Sequence, residues 1–252
     1  MTVTVSTRTD VGLRRDHNED ALAVWSPDGS GNGEAGVVVV VADGMGGARA
    51  GEVASRLAVE TVLRACREAA LPIDLDTLAH SIEAANQVIH EQGAAQPDLK
   101  GMGTTCTAVL LRDAVAWVAH VGDSRVYLVR EGAARQVTRD HSLVAQLVES
   151  HHLTPEQARV DPRRNLVTRS VGVSATVAVD AQRLEESLRP GDTVVVCTDG
   201  LHGLMEDGEL AALASGPDLE DACTRLIALA NARGGPDNIT VVLARLAADP
   251  PA

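Results

Sequence analysis

Residues Val37–Gly44 read VVVVVADG: an apolar run that ends in an aspartate beside a glycine. Successive valines favour a strand. The pattern recurs. Val194–Thr198 delivers Asp199 with Gly200 next, Val115–Val121 leads into Gly122 and Asp123, and GGPDN (Gly234–Asn238) places Asp237 just ahead of Ile239–Val242. Taken singly, each aspartate reads as a turn residue, because Asp and Gly are common turn formers. Taken together they suggest convergence. If strands sharing one core bring Asp43, Asp199 and Asp237 within about 5 Å, each like-charged pair repels by roughly 3 kcal/mol at an effective dielectric of 20. Such a cluster calls for cations or for a protonated carboxylate. A pair of divalent ions more than balances the three carboxylates, and the surplus suits a phosphate dianion.

Outward from this run, Thr2–Thr9 alternates Val with polar residues and reads as a half-buried strand. Ala21–Trp25 and Val37–Val41 are two further strands, with Asp28–Gly36 as the loop between them. Glu52–Glu68 carries Val53, Leu57, Thr61 and Ala65 on one helical stripe. Leu75, Leu78, Ile82, Ala85 and Ile89 step by three and four, and Gly93 and Pro97 end that helix. Thr104–Leu111, Val115–Val121, Arg125–Val129 and Ala133–Thr138 form an antiparallel meander. Asp140–Asn165 is polar and predicts short helices and loop. Strands return at Thr176–Arg183, Val194–Thr198 and Ile239–Leu246, with helices over Asp207–Ala214 and Asp218–Ala232. This order is α+β rather than strict βαβ alternation. One domain over 1–247 is expected, with a short tail over 248–252.

The chain has 252 residues, no Phe and a formal net charge of −13. That charge argues against nucleic acid, which demands clustered Lys and Arg, and against an anionic membrane surface. Cys66, Cys106, Cys197 and Cys223 form no CxxC pair, and Met1–Asp10 lacks a basic start followed by an apolar core. The longest apolar run, Val37–Ala42, falls far short of the roughly 20 residues that span a bilayer. A soluble protein of the reducing cytoplasm is expected, acting as a monomer.

Carboxylates and carbonyls are hard donors suited to Mg²⁺ or Mn²⁺, and no Cys or His spacing resembles a zinc site. A carboxylate-bridged metal pair can hold a water between its ions and aim it in line at phosphorus. A guanidinium is then needed for the phosphoryl oxygens. Arg14 and Arg15 stand just ahead of Asn18-Glu19-Asp20. An Arg-Arg pair alone is usually a surface feature; its place before an acidic cluster changes that.

Seven stretches now stand in order: RRDHNED (14–20), DGMGG (43–47), GEVAS (51–55), GMGTT (101–105), HVGDSR (120–125), CTDGL (197–201) and GGPDNIT (234–240). In this order the chain resembles the bacterial branch of the metal-dependent type 2C protein serine/threonine phosphatases. The resemblance implies two central antiparallel sheets sandwiched between antiparallel helix pairs, with a binuclear Mn²⁺ or Mg²⁺ site at one end. It implies Asp43 as the bridging ligand, Gly44 as a carbonyl ligand of the first ion, and Asp199 and Asp237 as ligands of the second. Glu19 would hold metal-bound water, and Asp20 belongs with the metal-site carboxylates. Arg15 matches the phosphate-gripping arginine better than Arg14. Asp123, with Asp199, matches a third, weaker ion site whose further ligand falls near Asn165. The segment 140–165 corresponds to the variable flap.

Met45 stands where the animal branch has a histidine proposed as general acid, and Met has no proton to give. His17 lies beside the first motif, His202 follows a ligand motif, His120 reads as a core residue, and His151 and His152 read as solvated. The implied activity is hydrolysis of phosphoserine and phosphothreonine by a metal-bridging water without a phosphoenzyme. The implied partners are phosphorylated proteins, including a serine/threonine kinase and its substrates. The rival readings are a phosphatase dedicated to one regulatory partner and a catalytically dead phosphoprotein-binding module. The second predicts loss of a metal aspartate, and Asp43, Asp199 and Asp237 are all present.

Overall fold

The computed structural model describes residues 2–27, 36–47 and 49–247; the expected loop other than Gly36, and the tail 248–252, lie outside them. The valine run becomes β3 (Val37–Met45), longer than the expected Val37–Val41, so Asp43 and Gly44 lie inside a strand and not in a turn. Val38, Val40 and Ala42 enter one apolar core, and Val37, Val39 and Val41 enter another. Both faces are buried, which is why the run shows no polar alternation.

β3 belongs to a sheet with β2 (Asp20–Trp25), β5 (Cys106–Arg112), β6 (Val115–Val121) and β9 (Asp180–Arg183), in the order β2-β3-β5-β6-β9, and β4 (Gly103–Thr104) pairs with the end of β3. The second sheet runs β1-β11-β10-β7-β8, from β1 (Thr2–Asp10), β7 (Arg125–Arg130), β8 (Ala133–Gln136), β10 (Thr193–Cys197) and β11 (Ile239–Ala247). Neighbouring strands are antiparallel throughout. A core of Val39, Val109, Val118, Val126, Val196 and Val242 joins the sheets face to face. Outside the first sheet lie α1 (Ala50–Glu68) and α2 (Leu75–Ala95), whose Ala54, Ala58, Leu78 and Ile82 pack on Val38 and Val40. Outside the second lie α6 (Asp207–Ala214) and α7 (Leu219–Ala232), whose Leu210, Ala222 and Leu226 meet Val195 and Val241. The layers are helix, sheet, sheet, helix, as the resemblance implied. Asp74 and Asp218 cap α2 and α7 by accepting from first-turn N–H groups.

Three expected elements differ. Thr104–Leu111 breaks at Thr105, whose hydroxyl takes the Asp43 N–H at 2.8 Å while its own N–H donates to the Asp43 carbonyl at 2.8 Å. Of Thr176–Arg183 only Asp180–Arg183 pairs with β6; Val177 and Val179 turn to the core under α1 and α2. β10 ends at Cys197, and a one-turn helix, α5 (Asp199–His202), begins at Asp199. The polar stretch folds as expected into α3 (Leu143–Glu149) and α4 (Pro155–Val160), where Ala158 is the one buried residue.

The registers decide where the chemistry sits. Asp20 faces Asp43, Cys106 faces Val121, Cys197 faces both Arg125 and Val241, and Asp10 faces Ile239. The start of β2, the end of β3, the β6–β7 turn, the end of β10 and the start of β11 therefore share one end of the sandwich. Two glycines permit the close approach. A Cβ on Gly44 would meet the Gly51 carbonyl oxygen at 2.1 Å and the Glu19 carbonyl oxygen at 2.6 Å. One on Gly200 would meet the Asn238 carbonyl oxygen at 2.0 Å. Gly200→Ala must push α5 off the start of β11. We expect a loss of about 3 kcal/mol in urea unfolding, with activity per folded molecule falling as Asp199 leaves Asp237.

Candidate active site

A cavity of about 480 Å³ opens at this end, and Glu19, Asp43, Asp123, Asp199 and Asp237 all line it, with Gly44 and Met45 on its wall. Arg14, Arg15, His17 and Asn165 line it as well. Asp20 stands behind them, directly across from Asp43. Its Oδ2 accepts from the hydroxyls of Thr198 (2.9 Å) and Thr240 (2.7 Å). Among the described residues, its buried Oδ1 has no hydrogen-bond partner.

Burial of so many like charges shows in their proton affinity. Burial pushes Asp20 up to about 7; the Thr240 and Thr198 hydroxyls resist, and Asp199 and Asp237 add to the rise. Asp123 rises to about 8 from burial and then from Asp199 and Asp140. Asp199 rises to about 6 from burial and Asp237, held back by a hydrogen bond with the Asp43 carboxyl. Asp43 is pushed well above the carboxylate range by burial and then by Asp20, Asp199, Asp123 and Asp237. Glu19 is raised by burial, with Arg15 opposing.

This donor set fits hard divalent cations. Oxygen atoms of Asp, Glu and the Gly44 backbone are the ligand types, Asp20 keeps an unpartnered buried oxygen, and two carboxylates oppose each other across a strand pair. Among the described residues, no three Asp, Glu, His or Cys side chains stand closed up in a ready-made cage.

Arg15 reaches the rim half-exposed and donates from Nη2 to Asp237 Oδ2 at 2.8 Å, a bond that raises its own affinity for the proton. Arg14 lines the same cavity and makes no ion pair among the described residues. The loop carrying both is tied by Asn238. Its Oδ1 accepts from Glu19 N–H at 2.8 Å, and its Nδ2 donates to the carbonyls of Val11 and His17, both at 2.9 Å. Neither Asn238 nor the hydroxyls of Thr105, Thr198 and Thr240 were singled out from the sequence. All lie inside the quoted motifs, within three residues of a motif aspartate or glycine, which is the signal the sequence carries.

The histidines divide. His17 lines the cavity. His120 is a core residue, held by Thr107 Oγ1 at 2.8 Å and pushed down to about 3 by burial and then by His141, whose ring lies 5.0 Å away. His202 reaches the Asp123 carbonyl at 3.0 Å. His151 and His152 are exposed.

The model of the protein phosphatase 2C family matches residues 14–244. The chain belongs to the protein phosphatase 2C family. It is 38% identical over 241 residues to the serine/threonine phosphatase stp of Listeria innocua, covering 94% of this chain and 93% of that one. The solved serine/threonine phosphatase of S. agalactiae superposes with a TM-score of 0.88 at 38% identity, covering 97% and 99% of the two chains. The PstP catalytic domain, solved in complex with two manganese ions, gives a TM-score of 0.83 at 33% identity over 98% and 99%.

The raised carboxylates of this 2C-type chain set a pH dependence. Asp20, Asp123 and Asp199 hold protons more tightly folded than unfolded, where ordinary aspartates titrate near 3.8. Their contribution to stability is fully present below that value and is lost as pH rises through about 6 to 8. Thermal melts of the EDTA-treated protein should therefore fall across about pH 4 to 8, and Mn²⁺ should restore the loss most strongly at the upper end.

Proposed function

We propose that the chain hydrolyses phosphoserine and phosphothreonine in proteins by direct attack of water at this cavity. It is a protein serine/threonine phosphatase, and the carrying observation is the set of carboxylates that line a single cavity together with Arg15 and Arg14. Asp43, the Gly44 carbonyl, Asp199 and Asp237 would hold two Mn²⁺ or Mg²⁺ ions, with Asp20 among the metal-site carboxylates and Glu19 acting through water. When bound, the ions supply Lewis-acid charge to the phosphoryl oxygens and lower the pKa of the attacking water. Asp123 and Asp199 would hold a weaker third ion. Arg15 grips the phosphoryl group from the rim, where a guanidinium engages two oxygens at once.

A direct displacement is supported by the surroundings. All four cysteines are free and buried, and none lines the cavity. The Thr105 hydroxyl is committed to Asp43 N–H and Ser124. Met45 brings no proton to the leaving group, so a metal-bound water, another side chain or solvent would supply it. We place the enzyme in the cytoplasm as a monomer with one domain over 1–247, acting on phosphoproteins that include a serine/threonine kinase and its substrates. Reduced buried cysteines support that setting, and among the described residues no helix is long and apolar enough to cross a membrane. The binding-module reading is disfavoured because it predicts loss of a metal aspartate, and Asp43, Asp199 and Asp237 are all present.

Hydrolysis of p-nitrophenyl phosphate and of a phosphothreonine peptide, with and without Mn²⁺, tests this. Asp199→Ala should cost on the order of 10³-fold in kcat. Arg15→Ala should raise KM and lower kcat/KM by about 10 to 100-fold. A folded wild type that stays inert in saturating Mn²⁺ would make the binding module the better reading.

A further inference from the structure

We propose that His202 is a positioning residue that fixes Asp123 against Asp199, and so sets the affinity of the weak third cation site. This rests on the reading of Asp123 and Asp199 as that site's ligands.

The two aspartates come from different elements. Asp123 follows β6 in the turn to β7, and Asp199 opens α5. His202 closes the same single turn of α5, and its Nε2 lies 3.0 Å from the Asp123 carbonyl oxygen. A carbonyl only accepts, so Nε2 carries the hydrogen and donates. One side chain therefore ties the helix that carries Asp199 to the backbone that carries Asp123.

The preceding residue is held separately. Gly122 N–H donates to His141 Nδ1 at 3.0 Å, and His141 N–H donates to the Gly122 carbonyl at 2.7 Å. Those bonds fix the turn to the flap side. Among the described residues, the His202 bond is the one hydrogen bond that reaches the turn from α5. The tautomer that this bond requires leaves Nδ1 as a bare acceptor. Among the described residues, that buried atom has no partner. A residue present only to fill space would not bring an unsatisfied nitrogen with it, since leucine packs without that cost. The donor at Nε2 is what histidine adds.

The test is calorimetric titration of Mn²⁺ into the EDTA-treated full chain, which reads binding and not turnover. Wild type should show two tight ions and one weak one, and Asp123→Asn should abolish the weak class. His202→Leu should weaken that class tenfold or more and leave the tight pair unchanged. His202→Gln, whose amide can place a donor where Nε2 stands, should restore it; His202→Asn, one carbon shorter, should not and serves as the non-bonding variant if the leucine protein fails to fold. A weak class that disappears in Asp123→Asn but survives unchanged in the leucine and asparagine variants overturns the proposal alone. A weak class missing from wild type, or untouched by Asp123→Asn, overturns the third-ion reading and the proposal with it.

Discussion

Repulsion among buried carboxylates is the constraint that the rest of the molecule answers to. Asp20 and Asp43 face each other across a strand pair, and Asp123, Asp199, Asp237 and Glu19 share a cavity with Asp43. Two like charges about 5 Å apart would repel by roughly 3 kcal/mol at an effective dielectric of 20, on top of the larger cost of burying each one. The folded chain meets this by holding protons well above the ordinary carboxylate range at Asp20, Asp43, Asp123 and Asp199. A rim that binds protons so readily also favours divalent cations, and cations turn an acidic chain into a receptor for phosphate.

Only a stiff frame keeps such groups together. The cost is spread over two sheets whose apolar faces interlock, so that no single strand carries it. Valines of β3 are fully buried on both faces. Gly44 and Gly200 let backbones approach more closely than any side chain allows. The Asp20 carboxylate accepts from hydroxyls on β11 and on the residue after β10, which crosses from one sheet to the other. Cores and site are thus one device: apolar burial supplies the energy that the carboxylates consume.

Much of this was legible in the sequence, for a physical reason. Strands buried on both faces leave uninterrupted valine runs, and helices packed on them leave stripes three and four residues apart, so β3, β10, α2 and α7 could be read directly. The Asp-Gly endings marked the site because they recur on several strands. Position within the element was harder. Asp43 reads as a turn residue, yet it lies inside β3, since the ladder continues through its pairing with Asp20 and its two bonds with Thr105, which no periodicity reveals. Val177 and Val179 carry strand propensity but lie where β6 has no partner left for them. The role of Asn238 and the partner of His202 escaped for a different reason. Their roles depend on which backbone groups lie opposite, and that is fixed by registers between segments more than 70 residues apart.

The kind of donor chosen around the cluster follows from the same electrostatics. Thr198 and Thr240 donate to Asp20, Asn238 to the arginine loop and His202 to the Asp123 carbonyl. Every one is neutral, His202 because burial pushes it down to about 3. A lysine or arginine in any of these places would satisfy the same acceptors more strongly, but it would also cancel the negative charge that draws in a divalent ion. Guanidinium is kept for two other situations. Arg125 is spent on Asp140 in a bidentate pair and contributes little net charge. Arg15 stands at the rim, half in solvent, where its charge faces an incoming phosphoryl group and where its Asp237 partner lies at the edge of the cluster. Neutral donors inside and guanidinium at the mouth let a single cavity attract cations to its floor and an anion to its opening.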